Sequence, residues 1–140
     1  MTSALVQASC VAIEGRALLI EGAPRSGKSN LALALIDRGA VLIGDDGVQL
    51  EAKDGRLYAS PPPNIAGLLE VRNLGLLSFP ITAHVHVALA VRLDAAAERF
   101  IDSPDSIVLC SVDLPLIRLW PDTPLLAVKA ELALRTYGLS

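Results

Sequence analysis

The chain has 140 residues, of which 52% are hydrophobic, 19% charged and 4% aromatic, with a formal net charge of −3. This is the composition of one globular domain with a substantial core, and it excludes both a disordered segment and a nucleic-acid surface, which needs basic patches and stacking rings. No apolar run approaches the ~18 residues of a membrane helix, and Met1–Ala8 lacks the basic start and apolar stretch of a secretory leader, so a soluble cytoplasmic protein with no membrane partner is expected.

In chain order, Leu5, Val6, Cys10, Val11 and Ile13 give an extended, partly buried strand over Ala4–Ile13. Glu14-Gly15-Arg16 is a tight turn that folds this strand into a hairpin with Ala17–Glu21. Next comes Gly22-Ala23-Pro24-Arg25-Ser26-Gly27-Lys28-Ser29, the pattern G-x-x-x-x-G-K-[ST] between an apolar strand and a helical run. Glycines let the backbone wrap an anion so that successive N–H groups point at phosphate oxygens. The following helix adds the positive end of its dipole at the same place. Lys28 reaches the terminal phosphates as a point charge, and the Ser29 hydroxyl is a Mg²⁺ ligand. The plainer alternative, a Gly-rich turn that only joins strand to helix, fits the flanking periodicities less well.

A helix apolar over most of its surface follows over Asn30–Arg38 and stops at Gly39. Ala40–Ile43 is a continuous apolar run and reads as a buried parallel strand. It ends in Gly44-Asp45-Asp46-Gly47, two carboxylates where open α/β sheets place their ligands. They are either turn acceptors or a metal partner and a base toward a hydroxyl. Val48–Glu51 and Leu57–Ala59 form a hairpin around Asp54-Gly55. Ser60–Asn64, with Pro61, Pro62 and Pro63, is an extended loop that frames the site or a subunit contact.

In Gly67–Leu76, Glu70 and Arg72 are two apart and share one strand face, opposite Leu69 and Val71. They serve as metal and phosphate ligands, or form a surface ion pair of little worth. Val85–Leu93 is a core strand, and His84 and His86 share a face that reads as solvated rather than metal-binding. A short helix over Asp94–Phe100 has Asp94 as its N-cap. Ile107–Cys110 and Leu114–Leu119 are short strands or turns broken by Pro104 and Pro115. A C-terminal helix spans Asp122–Tyr137, with Pro124 in its first turn and Gly138 past its end. Cys10 and Cys110 read as small buried hydrophobes.

The glycine loop, the Asp45-Asp46 pair and Glu70-Val71-Arg72-Asn73-Leu74-Gly75 together resemble HPr kinase/phosphorylase, in a short form consisting of the C-terminal catalytic domain alone over 1–140. The similarity is good over Val6–Leu77 and poor beyond. It implies an α/β P-loop kinase-type domain with a central mixed sheet. It implies a protein serine kinase that uses ATP and Mg²⁺ on an HPr-type phosphocarrier of a phosphotransferase system, and removes the phosphate by phosphorolysis. Gly22–Ser29 would hold the nucleotide phosphates, with Lys28 stabilising charge on the transferred group. Ser29 and Glu70 would bind Mg²⁺. One of Asp45 and Asp46, with Asp46 favoured by its spacing from the loop, would accept the serine proton and return it in the reverse reaction, and Arg72 lies in the signature segment. The resemblance also implies a homo-oligomer, a hexamer, and the high apolar fraction is compatible with one. Two positions depart from the family. Gln7 stands where a histidine is usual and does not titrate near neutral pH. Asn73 stands for a glycine, although asparagine tolerates a left-handed backbone. Arg99 and Arg118 match the family's downstream arginines only weakly. Two other readings compete: a small-molecule P-loop kinase, and a nucleotide-sensing module without turnover.

Overall fold

The computed structural model describes residues 2–140. The elements are β1 (Ser3–Val6), β2 (Ser9–Ile13), β3 (Arg16–Gly22), α1 (Lys28–Asp37), β4 (Val41–Gly44), β5 (Val48–Lys53), β6 (Arg56–Ser60), β7 (Leu68–Val71), β8 (Gly75–Ser78), β9 (Val85–Leu93), β10 (Asp105–Leu109), β11 (Val112–Leu119) and α2 (Leu126–Tyr137). Among the described residues, nine strands form one mixed sheet. Its main order is β1-β5-β6-β9-β3-β2-β4, with β11 also on β9 and β10 on β11; β7 and β8 form a separate hairpin. The expected α/β class, with a central mixed sheet and a C-terminal helix, is what forms.

Strand β9 is the centre. One edge runs parallel to β3 from Ala17 to Gly22. Its other edge is shared, antiparallel to β6 at Val85 and His86 and then parallel to β11 from Ala90. Ala17 lies opposite Val87 and Leu18 opposite Leu89, so Ala88 is an extra, bulged residue. Its carbonyl accepts the Leu139 N–H at 2.9 Å, which ties the segment after α2 to the middle of the sheet.

The period-2 alternation of β3 separates two cores. Leu18 and Ile20 face the helical layer with Leu31, Leu35 and Leu134, whereas Ala17 and Leu19 face Ile43, Leu50, Leu57 and Leu114. Full burial of each leucine contributes about 1.5–3 kcal/mol. Helix α1 ends as expected. Gly39, at φ +111°, donates to Ile36 O and Ala40 to Leu35 O, each at 3.0 Å, a Schellman closure that needs the left-handed residue. The Asp54-Gly55 turn also forms, with φ of +53° and +77°.

Several elements differ from expectation. The single strand over Ala4–Ile13 divides at Gln7-Ala8, because β1 pairs with β5 while β2 pairs with β3 and β4. Strand β4 runs in the same direction as β3 but is separated from it by β2, antiparallel to both; its parallel pairing among the described residues is a single bridge from Leu42 to Ile81. Its apolar run reflects burial on two faces, Leu42 in one core and Ile43 in the other. Asp94–Phe100 is not a helix. Asp94 does accept local N–H groups, from Ala96 at its carboxylate (2.8 Å) and from Ala97 at its carbonyl (3.1 Å). The turn goes no further, and Phe100, 78% exposed, has no core to propagate it. Pro115 does not interrupt β11, which runs through it opposite Ser106. The β10–β11 hairpin closes on Cys110-Ser111, at φ +50° and +64°, leaving Cys110 half-buried. Helix α2 begins at Leu126, so Pro124 precedes it. Among the described residues, no helix is long and apolar enough to cross a membrane.

Candidate active site

Because β9 is parallel to β3, and β2 is antiparallel to both β3 and β4, the C-terminal ends of β3, β4 and β9 share one edge with the start of β2. The loops after β3 and β4 open at that edge, where ligands of open α/β sheets bind. Two residues of the first loop adopt left-handed backbone, Arg25 at φ +65° and Gly27 at +104°. Gly22, at φ +156°, packs so tightly on Ser26 that a Cβ there would collide with the Ser26 hydroxyl. Helix α1 starts on Gly27 with no side-chain cap and no acidic residue in its first turn. Its first N–H groups therefore remain for an anion. Ser26 Oγ is buried within the loop without a hydrogen-bond partner. The Lys28 ammonium donates to Gly22 O at 3.0 Å and Ala23 O at 3.2 Å. These are neutral acceptors, so its charge is not spent on a carboxylate.

Asp45 is the hub of the edge. Its Oδ1 accepts from Ser9 Oγ at 2.8 Å and Ser29 Oγ at 2.7 Å, and its Oδ2 accepts the Glu70 N–H at 3.2 Å. The turn carrying it is tight, since a Cβ on Gly44 would meet the Gly47 carbonyl. Asp46 is exposed at φ +58°, and among the described residues its carboxylate has no hydrogen-bond partner. Glu70 projects from the exposed face of β7, opposite the buried Leu69 and Val71. Arg72 lies just past the strand end, in a turn completed by Asn73 at φ +74°, the conformation expected of the asparagine.

Lys28, Ser29, Asp45, Asp46, Glu70 and Arg72 border one cleft of about 780 Å³. Pro24, Arg25 and Gly27 also line it, while Gly22 and Ala23 face a smaller cavity on the loop's far side. Pro62, Pro63 and Asn64 form part of the rim, so the proline loop frames the site. Ser9 is the residue that sequence reasoning missed. Its only signal is a hydroxyl inside the apolar run Ala8-Ser9-Cys10-Val11. Gln7 borders both cavities, but the side chain that orients Asp45 from β2 is Ser9. The neighbouring Cys10 thiol is pushed up by complete burial and is unreactive. His84 and His86 lie elsewhere. His84 stacks on Tyr58 at 4.7 Å, and His86 is held below the usual imidazole range by burial, then by Arg56 and Arg16.

Mg²⁺ prefers oxygen donors and takes one or two carboxylates plus substrate phosphates rather than an all-protein cage. The oxygen set of Ser29 and Glu70 fits that preference.

Fold and cleft together define a mixed-sheet α/β domain with a C-terminal helix and a glycine loop between β3 and α1. The family model described as HPr Serine kinase C-terminal domain matches residues 1–99, and the chain belongs to that family. It is 43% identical over 70 residues to the HPr kinase/phosphorylase of Clostridium tetani (strain Massachusetts / E88), an alignment covering 50% of this chain and 23% of that protein. It is 34% identical over 122 residues to the HPr kinase/phosphorylase of Streptococcus thermophilus (strain ATCC BAA-491 / LMD-9), covering 78% and 40% respectively. The chain thus spans well under half the length of these relatives. Among solved structures, the Hpr(Ser) kinase/phosphatase from Coxiella burnetii superposes with a TM-score of 0.82 at 25% identity, over 94% of each chain.

Proposed function

We propose that residues 1–140 form one catalytic unit, an ATP- and Mg²⁺-dependent kinase that phosphorylates a serine of an HPr-type phosphocarrier protein in the cytoplasm. The observation that carries this reading is the meeting of the glycine loop, both aspartates and the Glu70–Arg72 segment at one cleft in a chain of this family. Gly22–Ser29 hold the nucleotide phosphates with backbone N–H groups and the α1 N-terminus. Ser29 and Glu70 hold Mg²⁺, with Asp45 orienting Ser29 through its hydroxyl. When bound, the ion neutralises charge on the β- and γ-phosphates.

The carrier serine oxygen forms a bond to the γ-phosphorus as the bond to the ADP oxygen breaks. Asp46, unencumbered beside Asp45, accepts the serine proton. Lys28 and Arg72 stabilise the charge spread over the transferred group. In the reverse direction an oxygen of inorganic phosphate attacks the phosphoserine phosphorus, and Asp46 returns the proton to the serine oxygen; mass balance makes the product pyrophosphate. Assembly into a homo-oligomer, a hexamer by family likeness, is supported by exposed apolar side chains such as Leu74 (70%), Leu76 (67%) and Phe100 (78%).

The test mixes purified protein, ATP, Mg²⁺ and the HPr-type carrier of the same organism, and reads the carrier's mass and modified residue. One phosphate on a serine is expected, removed again on adding inorganic phosphate. ATP binding without transfer to the carrier refutes the kinase reading and leaves a nucleotide sensor or another substrate.

A further inference from the structure

We propose that Ser9 is a positioning residue for the metal side of the site: its buried hydroxyl pins Asp45, and Asp45 in turn aims the Ser29 oxygen at Mg²⁺. This rests on the nucleotide reading above. Ser9 is 1% exposed and, among the described residues, the only buried polar side chain in a core otherwise apolar. A buried hydroxyl without a partner is unfavourable, so an alanine would suit a purely structural strand position better. The partner is a carboxylate of the site rather than a backbone group.

The register shows how the pair is made. Val11 lies opposite Leu42, but Cys10 lies opposite Gly44, so Ile43 is an extra residue in β4. Without that bulge Ser9 would face Gly44, and Asp45 would lie beyond its reach. With it, Asp45, one residue past the last registered pair Cys10 and Gly44, meets the Ser9 hydroxyl at 2.8 Å. Bulges commonly re-aim a side chain beside a site in this way. Ser9 and Ser29 then hold the same oxygen from two separate elements, β2 and α1. The Ser29 proton is committed to Asp45, which leaves its lone pairs for a cation. Ser29 and Asp45 would keep each other's company without Ser9, but with one fixed anchor fewer the direction of those lone pairs is less defined.

The experiment titrates Mg²⁺ into a fluorescent ATP analogue bound to wild type, Ser9→Ala, Ser9→Val and Ser9→Thr, and measures the analogue's affinity in EDTA. Ser9→Val and Ser9→Thr have nearly equal volume and differ in the hydroxyl, so their comparison stands even if Ser9→Ala fails to fold. Loss of the hydroxyl is expected to raise the half-saturating Mg²⁺ concentration by about tenfold, with affinity in EDTA unchanged and the requirement restored in Ser9→Thr. An equal Mg²⁺ requirement in Ser9→Val and Ser9→Thr overturns the inference, as does a parallel loss of affinity with and without Mg²⁺. If wild type binds no Mg²⁺–nucleotide at all, the nucleotide reading itself falls and takes the role of Ser9 with it.

Discussion

Replacing Asp45 and Asp46 separately by asparagine tests how two adjacent carboxylates divide their work. Asparagine keeps the shape of aspartate but has one oxygen. At position 45 that oxygen can serve Ser9 and Ser29, at 2.8 and 2.7 Å, or the Glu70 N–H at 3.2 Å, but not both sides. Turned toward the serines, it sets its amide hydrogens against the Glu70 N–H, donor against donor; turned away, its oxygen keeps the Glu70 N–H and its amide donates to the Ser9 and Ser29 hydroxyls, reversing both bonds. The second choice costs less, since every partner stays paired, but it replaces charge-assisted bonds by neutral ones and takes up a lone pair of Ser29 Oγ. Exchanging charge-assisted bonds for neutral ones amounts to about 1–2 kcal/mol, a fall in Tm of roughly 3–8 °C for a domain this size. Asp46 is exposed with a left-handed backbone, which asparagine accommodates as well as aspartate does. Asp46→Asn should therefore leave Tm within about 2 °C. Calorimetry, Mg²⁺-dependent binding of a fluorescent ATP analogue and mass-spectrometric transfer assays separate the two variants. Asp46→Asn is expected to fold and bind Mg²⁺–ATP normally while losing roughly 10²–10⁴-fold in transfer. Asp45→Asn should melt earlier and need more Mg²⁺. Transfer by Asp46→Asn within a few-fold of wild type would refute the role of Asp46 as base. An Asp45→Asn protein with unaltered Tm and Mg²⁺ requirement would refute the hub.

Lys28→Met should leave Tm nearly unchanged, since the ammonium holds only two loop carbonyls, yet weaken ATP binding tenfold or more, as expected for a charge-assisted contact of about 1.5–3 kcal/mol; equal affinity by calorimetric titration would contradict the cradle. Gly44→Ala places a Cβ against the Gly47 carbonyl, so the turn must open. A loss of about 1–3 kcal/mol in urea denaturation, together with loss of transfer, is the expected result, and wild-type behaviour in both would mean the turn is slack. His86 is depressed below its usual range by burial, Arg56 and Arg16, so the unfolded chain binds its proton more readily than the folded one. Its contribution is therefore present above the ordinary imidazole value of about 6.5 and lost as pH falls below it. The Tm advantage of wild type over His86→Gln should shrink between pH 7 and 5.5, and a gap that widens would reverse the sign of the argument.

The parts of this site legible in the sequence are those fixed by contiguous residues. Gly22–Ser29 declares its own backbone, Gly39 its helix end and Asp54-Gly55 its turn, because each demands φ values that few residues adopt. Asp45 and Asp46 were legible as a pair, with Asp46 favoured as the base, but the hydrogen bonds that set Asp45 apart were not. Asp45 is held from Ser9, Ser29 and Glu70, and those partners are 36, 16 and 25 residues away. Ser9 within Ala8-Ser9-Cys10 announces nothing locally, because its partner Asp45 lies in the turn after β4. The placement of β2 between β3 and β4 was hidden for a related cause: an apolar run reports burial on both faces, not the direction of its neighbour. Cys110-Ser111 closes a hairpin without the glycine, asparagine or aspartate that normally announces one. Asp94 shows the converse, local capping chemistry that forms without a helix to cap.

The central position of β9 also governs when this protein can take shape as it leaves the ribosome. Ala17 must wait for Val87, 70 residues later, before β3 gains its parallel neighbour. At synthesis rates of about 5–20 residues per second, that interval lasts roughly 4–14 s. Meanwhile the β2–β3 hairpin presents Leu18, Leu19 and Ile20 along an open edge, a template for pairing with other nascent chains. The glycine loop is able to curl early, but it acquires a floor only when β9 arrives beside β3. A chaperone that shields this edge until β9 is made should therefore raise the yield of folded protein more than any change made within the loop.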